Sequence, residues 1–270
     1  MSLLEFGVPD RAVDLIFLHA NGFNALAYRR LFTPLADRFR ILAVDQRGHG
    51  ATSLNADPLG RANWDDFRDD LVALLDLLGV REAVLCGHSM GGATCLTATA
   101  LRPGRVRRLV LLDPVIVAPR PGPDSSETNL AEGARRRRAE FPSREAALAA
   151  YAERSVFSTW RLDMLADYVT AGFRDLPDGS VRLACAPAWE ASTFAVAAHS
   201  DTWTAFDRTR CPVEIIKAEV GSTCQTGPQE PALTASGRIT VETLFGTSHF
   251  LPMEKPEAIA ARLDRAVSGG

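Results

Sequence analysis

The chain has 270 residues, which is enough for one full hydrophobic core, and 46% of them are hydrophobic. With 30 Lys and Arg against 33 Asp and Glu, its formal net charge is -3, which argues against nucleic acid or an anionic membrane as a partner. No stretch approaches the roughly 18 uninterrupted apolar residues of a membrane span, and residues 1–11 lack a secretory signal, so we expect a cytoplasmic protein. The five cysteines are widely spaced without a CxxC pair, which predicts reduced packing thiols and no metal site.

Short apolar runs alternate with helical stretches in the first part of the chain. Strands are predicted at residues 13–18, 41–44, 83–86 and 108–112, with helices at 25–38, 63–78 and 93–101 between them. The strands lack polar alternation, which is typical of a parallel sheet covered on both faces. Because only a dozen residues precede the first clear strand, we expect a sheet shortened at that edge, with residues 3–6 at most a stub.

The alternation breaks at Pro114 and resumes near residue 213, with strands at 213–216 and 239–244 and a helix at 254–267. Between these points we find no convincing strand and only helical stretches, at 143–154 and 162–173. The pattern predicts an α/β core (1–117 and 206–270) interrupted by a helical insertion (118–205). The basic run Arg135–Arg138 lies in that insertion and is interpreted as a solvated helix face.

A G-x-S-x-G motif, Gly87-His88-Ser89-Met90-Gly91, lies between a predicted strand and a predicted helix. The chemistry needs glycines there because the serine occupies a strained turn, and only residues without a Cβ leave it room. The N-terminus of the following helix favours negative charge that develops beside the serine. We therefore predict Ser89 as a nucleophile.

Four motifs in order extend this signal over nearly the whole chain: H-A-N-G-F (19–23), D-Q-R-G-H-G (45–50), G-H-S-M-G-G (87–92) and S-H-F-L-P-M-E-K-P (248–256). With them the sequence resembles the α/β-hydrolase fold superfamily, and within it the serine esterases and lactonases. The resemblance implies a mostly parallel sheet flanked by helices, a helical cap inserted after the strand that ends near Leu112, and catalysis on a small-molecule substrate without a cofactor or metal.

The resemblance also places the general base at His249, in a short loop (245–248) between the last strand and the last helix. An imidazole with a pKa near 6.5 can accept the serine proton and return it at neutral pH. Of the other histidines, His88 is expected to pack beneath the turn, and His199 is expected to be a surface or cap histidine. His19 and His49 lie in loops that the family uses for architecture and for the rim of the site.

The acid that completes a catalytic triad with the serine and the histidine is where the sequence departs from the family. The family commonly has an Asp after the strand at 213–216, and the aligned position here is Ser222. Two carboxylates are candidates to hold the imidazole: Asp113, at the end of the strand at 108–112, and Glu219. Both keep the usual chain order of serine, acid and histidine. We favour Asp113.

Two backbone N–H groups are expected to form the oxyanion hole. One belongs to Met90, after the nucleophile, and the other most simply to Asn21 in the H-A-N-G-F loop. Gly22 or Phe23 are alternatives, because Ala20 replaces the glycine that usually follows the histidine.

Aromatic residues are concentrated in the predicted insertion, where they either line a substrate pocket or form the insertion's own core. They are Trp160, Trp189, Trp203, Tyr151 and Tyr168.

The leading hypothesis is a carboxylesterase-like serine hydrolase, acting as a monomer or homodimer on an ester or lactone of a small, largely apolar substrate. C–C bond hydrolysis, thioester hydrolysis and perhydrolysis use the same triad and stay open. A non-catalytic ligand-binding receptor also stays open, because the usual acid is missing. A carboxylate-nucleophile dehalogenase or epoxide hydrolase is disfavoured, because Ser89 stands at that position.

Overall fold

The apolar runs at 13–18, 41–44 and 83–86 form strands that are buried on both faces, whereas the run at 239–244 forms a strand that is only partly buried. The computed structural model describes residues 1–117 and 126–269; the predicted start of the insertion at residue 118 and the terminal Gly270 lie outside the described residues. The described strands are β1 (Ser2–Phe6), β2 (Leu15–Leu18), β3 (Ile41–Asp45), β4 (Ala83–His88), β5 (Val106–Leu112), β6 (Ile116–Val117), β7 (Glu140–Phe141), β8 (Phe173–Asp175), β9 (Val181–Leu183), β10 (Val213–Val220), β11 (Cys224–Gln225) and β12 (Ile239–Ser248). Seven of them form one sheet in the order β1-β3-β2-β4-β5-β10-β12, parallel except for β1.

Helices cover both faces of this sheet. The described helices are α1 (Arg29–Phe32), α2 (Asp65–Leu77), α3 (Met90–Leu101), α4 (Ser126–Arg135), α5 (Arg144–Ala152), α6 (Leu162–Gly172), α7 (Pro187–Ala195), α8 (Thr202–Arg208), α9 (Glu230–Thr234), α10 (Leu251–Glu254) and α11 (Pro256–Ser268). Strand β2 shows why both faces must be covered: Leu15 and Phe17 pack with α1 and α11, whereas Ile16 and Leu18 pack with α2 and α3. Alternate side chains of a strand point to opposite faces, so a continuous apolar run buries both.

Strand β1 pairs antiparallel with β3 along its full length, from Ser2 opposite Asp45 to Phe6 opposite Ile41. The expectation of a stub at residues 3–6 was therefore wrong. The sequence signal is weak because β1 is an edge strand and only partly buried. Its pairing satisfies backbone groups of β3 that would otherwise be left at the sheet edge.

The last strand also continues beyond its predicted end at residue 244. Strand β12 follows β10 until Ala218 lies opposite Leu244, and after a register shift Val220 lies opposite Ser248. Three residues of β12 (245–247) lie opposite the single residue Glu219 of β10 at this shift, so β12 bulges there. His249 therefore follows the strand directly, and the loop predicted at residues 245–248 is wrong.

Helices α4 to α8 lie between β6 and β10, in the part of the chain where helices were predicted. The expectation that this segment has no strand was wrong, because β7, β9 and β8 form a small antiparallel sheet. Strands of two or three residues are too short to show a hydrophobic period. The predicted boundary between the insertion and the core, at residues 205 and 206, lies inside helix α8. Its Ala205 and Phe206 pack in the same cluster as β5 and α3.

All five cysteines are free and buried, as predicted for packing thiols. In the described part of the chain, no helix combines the length and the apolar character needed to cross a membrane.

Candidate active site

Ser89 lies at the sharp turn between β4 and α3, with φ 56° and ψ -120°, a conformation that L-residues rarely adopt. The glycines beside it are required because a Cβ at either position would collide with the backbone. A Cβ on Gly87 would lie 2.3 Å from the backbone of Gly91, and a Cβ on Gly91 would lie 2.3 Å from the carbonyl oxygen of Leu18. The motif therefore holds the serine at the carboxyl edge of the sheet, at the N-terminus of α3.

The structure brings Ser89, His249 and Asp113 together, although they are separated by up to 160 residues. The distance from His249 Nε2 to Ser89 Oγ is 3.1 Å, and the distance from His249 Nδ1 to Asp113 Oδ2 is 2.6 Å. A carboxylate can only accept, so Nδ1 carries a proton and donates it to Asp113. In the neutral ring Nε2 is then unprotonated and can accept the proton of the Ser89 hydroxyl.

Asp113 is fully buried and has a positive φ of 39°, which Asp tolerates better than most residues. Its Oδ1 accepts from the N–H of Ala218 (2.9 Å) and from Ser222 Oγ (2.5 Å), and its Oδ2 also accepts from the N–H of Thr223 (3.0 Å). Burial acts to raise the pKa of Asp113, but the hydrogen bonds from His249, Ser222 and Ala218 outweigh it and hold the pKa below its ordinary value. The carboxyl is therefore ionised at neutral pH.

Glu219, the alternative acid, does not contact the His249 ring. It is exposed at the β-bulge, where its carboxylate accepts from the N–H of Gly246 at 2.7 Å. Ser222, which aligns with the family's usual Asp, instead donates to Asp113.

His88, beneath the turn, makes two hydrogen bonds in addition to its packing. Its Nε2 lies 2.8 Å from the carbonyl oxygen of His249 and must donate to it, so its Nδ1 accepts from the hydroxyl of Tyr28 at 2.7 Å. That hydroxyl accepts in turn from the N–H of Ala20 (3.2 Å). Burial, together with the nearby His249, lowers the pKa of His88 to about 3, so this ring is neutral. The network connects three loops of the site: the one after β2, the turn that carries Ser89, and the one that carries His249.

In the loop after β2, most backbone N–H groups already have acceptors. The N–H of Gly22 donates to His49 Nε2 (2.9 Å), and the N–H of Phe23 donates to the carbonyl oxygen of Ala20 (3.1 Å). The N–H of Asn21 has no acceptor among the described residues. The C=O of Ala20 and the N–H of Asn21 belong to the same trans peptide group and point in opposite directions. Because the Ala20 C=O points into the loop to accept from Phe23, the Asn21 N–H points away from the loop.

Residues from the inserted segment hold this loop from the other side. Asn21 Nδ2 donates to the carbonyl oxygen of Glu190 (3.1 Å), and the hydroxyl of Tyr168 donates to the carbonyl oxygen of Gly22 (3.0 Å). The fit is tight, because a Cβ on Gly22 would lie 2.6 Å from the Glu190 carboxylate.

Between the core and the inserted segment lies a cavity of about 490 Å³ that includes Ser89 and His249 in its wall. Most of its lining is apolar, from Phe23, Trp64, Val115, Val117, Leu130, Val156, Phe157, Phe194, Ala197 and Phe250. Of the five aromatic residues predicted in the insertion, Tyr151 and Tyr168 line the cavity, whereas Trp160, Trp189 and Trp203 pack elsewhere.

One wall of the cavity is polar, and no sequence motif indicates it. Arg137 donates to the carboxylate of Glu190 (2.5 Å) and to the hydroxyls of Tyr151 (3.1 Å) and Tyr168 (2.9 Å), with 16% of its side chain exposed. The interpretation of Arg135–Arg138 as a solvated face is therefore wrong for Arg137, although the other three arginines are exposed. The irregular chain after α4 turns this one side chain inward, which a run of identical residues cannot reveal.

Among the described residues, no three His, Cys, Asp or Glu side chains are grouped as a metal site would require.

The sequence matches the model of the alpha/beta hydrolase family over residues 15–262. The chain belongs to this family. Among the curated relatives of this α/β hydrolase, 2-(acetamidomethylene)succinate hydrolase of Mesorhizobium japonicum is 37% identical over 99 residues, which are 37% of this chain and 34% of the relative. 3-Oxoadipate enol-lactonase 2 of Acinetobacter baylyi is 36% identical over 94 residues, 35% of this chain and 34% of the relative. The matched segments span about a third of these relatives' length.

Solved structures resemble the α/β hydrolase over nearly its whole length. The crystal structure of E-2-(acetamidomethylene)succinate hydrolase superposes with a TM-score of 0.78 and 24% identity, covering 99% of this chain and 94% of the other. The enol-lactonase from Burkholderia xenovorans gives a TM-score of 0.71 and 20% identity, covering 99% and 96%. At these identities the similarity shows a shared fold.

Proposed function

We propose that this α/β hydrolase is a serine hydrolase that cleaves a carboxylic ester or lactone of a small, largely apolar substrate through an acyl-enzyme on Ser89. One observation carries the proposal: the His249 ring lies between the Ser89 hydroxyl at 3.1 Å and the buried Asp113 carboxylate at 2.6 Å. This is the arrangement that activates a serine for attack on a carbonyl carbon.

In the proposed reaction, Ser89 Oγ forms a bond to the substrate carbonyl carbon while its proton passes to His249 Nε2. The carbonyl oxygen takes the displaced electron pair. When the tetrahedral intermediate collapses, the C–O bond to the alcohol breaks and His249 returns the proton to that oxygen; in a lactone the alcohol stays attached to the acyl group. Water then attacks the acyl-enzyme in the same way, and the carboxylic acid leaves. Asp113 holds the ring and stabilises its protonated form throughout.

The N–H groups of Asn21 and Met90 are proposed as the oxyanion hole. Support for Asn21 comes from its N–H, which has no acceptor among the described residues, whereas those of Gly22 and Phe23 are engaged. Met90 is the first residue of α3, where a backbone N–H has no intrahelical acceptor. One such donor is typically worth about 10²–10³ in turnover.

The roles of the two parts of the chain are also proposed here. Residues 1–117 and 206–270 would form the hydrolase core, and residues 118–205 a cap that encloses the acyl or alcohol portion of the substrate. A mainly apolar cavity of about 490 Å³ suits a small molecule with an apolar body. The names of the relatives include an enol-lactonase, which agrees with lactone hydrolysis as one form of the activity.

The test has two measurements on the wild type and on Ser89→Ala. We expect the wild type to hydrolyse short-chain 4-nitrophenyl esters and to be labelled by a fluorophosphonate, and Ser89→Ala to lose both properties. Absence of hydrolysis at every chain length, together with absence of labelling, would leave a ligand-binding receptor as the better description. Labelling without ester hydrolysis would retain the activated serine but reject the substrate class.

A further inference from the structure

The charged side chains that face the cavity are not balanced. Besides His249, the described residues contribute Arg137, Arg154 and Glu190 to the lining. Glu190 is paired with Arg137. No Asp or Glu carboxylate of the described residues lies within 4 Å of the Arg154 guanidinium, so this wall has one cation more than it has anions.

The two arginines meet at Tyr151. The Tyr151 hydroxyl accepts from Arg137, and the Arg154 guanidinium lies 5.4 Å from the centre of the Tyr151 ring. Tyr151 itself is only 2% exposed, so both guanidinium groups lie beside a buried ring in the wall of the cavity. Arg137 is mostly buried, whereas Arg154 is exposed and accessible to a ligand that enters from solvent.

An unpaired guanidinium beside an apolar cavity favours one kind of ligand. Charge interactions are stronger near low-dielectric walls than in bulk water, and a cleft lined by one sign of charge concentrates ligands of the opposite sign. The planar guanidinium matches the two oxygens of a carboxylate in a bidentate hydrogen bond. The surrounding apolar side chains would accommodate a hydrocarbon body between that carboxylate and Ser89.

From these observations we infer that the substrate carries a carboxylate at the end away from the scissile bond, and that Arg154 binds this carboxylate. The inference rests on the proposed function and narrows its substrate class to esters or lactones of dicarboxylic acids. Arg154 is thus a specificity-determining residue. The expectation of a largely apolar substrate then applies to the body of the molecule and not to its far end.

A matched pair of esters tests the inference: mono-4-nitrophenyl adipate, which is anionic, and methyl 4-nitrophenyl adipate, which differs only in its neutral end. We expect the wild type at low salt to prefer the anionic ester by about tenfold in kcat/KM, which corresponds to about 1.4 kcal/mol. Arg154→Gln should lose most of this preference by slowing the anionic ester alone, and added salt should reduce the preference in the wild type. Arg136→Gln is the matched control, because Arg136 is an exposed arginine of the same segment that does not line the cavity.

A binding measurement on Ser89→Ala separates the inference from the proposed function. Calorimetry with monomethyl adipate, which has one anionic end, and with dimethyl adipate, which has none, should show tighter binding of monomethyl adipate, and the difference should disappear in Ser89→Ala/Arg154→Gln. If neither nitrophenyl ester is cleaved but the tighter binding of monomethyl adipate depends on Arg154, the carboxylate site stands and the proposed hydrolysis fails. If both esters are cleaved equally well and Arg154→Gln affects them equally, the hydrolysis stands and the carboxylate site is rejected.

Discussion

The carboxyl edge of the central sheet and the inserted segment contribute to the same cavity in different ways. At the sheet edge, Ser89, Asp113 and His249 each lie at or directly after the end of a strand. Ser89 and His249 were found from local motifs, and Asp113 was one of two candidate acids. In the inserted segment, Arg137, Tyr168 and Glu190 come from separate helices and turns, without a motif. The proposed reactive groups are therefore positioned by the parallel sheet, whereas the polar groups on the other wall of the cavity depend on how the insertion packs.

The largest effect is expected at the sheet edge, where Asp113 and Glu219 can be exchanged for their amides. Asp113→Asn should lower kcat/KM by about 10⁴-fold, because the amide no longer holds the His249 tautomer that accepts the serine proton. Glu219→Gln serves as the matched control and should stay near the wild type, since its carboxylate contacts only the N–H of Gly246. Steady-state kinetics on one ester measure both variants. A larger loss in Glu219→Gln would reverse the assignment of the acid.

In the inserted segment, the largest effect is expected on stability. Arg137→Met leaves the buried Glu190 carboxylate without its partner and should lower the free energy of unfolding by about 3 kcal/mol. The double variant Arg137→Met/Glu190→Leu should recover most of that loss, because no unpaired charge stays buried. Urea unfolding monitored by tryptophan fluorescence measures all three proteins. Equal stability of the single and double variants would mean that the charge pair is not buried in solution.

A smaller effect is expected where the two regions meet. Tyr168→Phe removes the hydrogen bond to the Gly22 carbonyl oxygen and should lower kcat by about tenfold, with a smaller change in KM, because it loosens the proposed oxyanion loop. Both tyrosine hydroxyls accept a hydrogen bond from Arg137, but the Tyr151 hydroxyl does not donate to Gly22. The kcat of Tyr151→Phe should therefore fall less. Equal losses in the two variants would indicate that the loop is held by the core alone.

The smallest effect concerns the buried histidines of the core. Burial lowers the pKa of His19, His49 and His88, the last to about 3, whereas unfolded histidine has a pKa near 6.5. The unfolded chain therefore binds more protons below pH 6.5, and stability should fall as the pH decreases from 6.5 to 4.5. In His88→Gln this slope should be shallower by about 1.4 kcal/mol per pH unit. Unfolding in urea at several pH values measures the slope, and an unchanged slope would mean that His88 is accessible to protons in the folded protein.

Much of the core could be predicted because its signals are local. The apolar runs at β2 to β5 indicated strands buried on both faces, and the glycines of the Ser89 turn are required by contacts with near neighbours. The edge strand β1 and the extension of β12 were not predicted, because their pairing depends on a neighbouring strand rather than on their own hydrophobic pattern. Glu190 was missed because a charged residue in a helix normally faces solvent. Arg154 lies in the turn after α5, where no hydrophobic period shows which residues are beside a cavity.

By itself, the sequence determined the family, the order of most strands and helices, and the candidates for the serine, the acid and the imidazole. These follow from short motifs and from apolar periods, which are properties of contiguous residues. Only the tertiary structure decided which carboxylate touches His249, which N–H of the loop after β2 is left without an acceptor, and which arginine of a basic run turns inward. Each of these depends on distances between residues far apart in the chain, and those distances are set by how the sheet and the inserted helices pack.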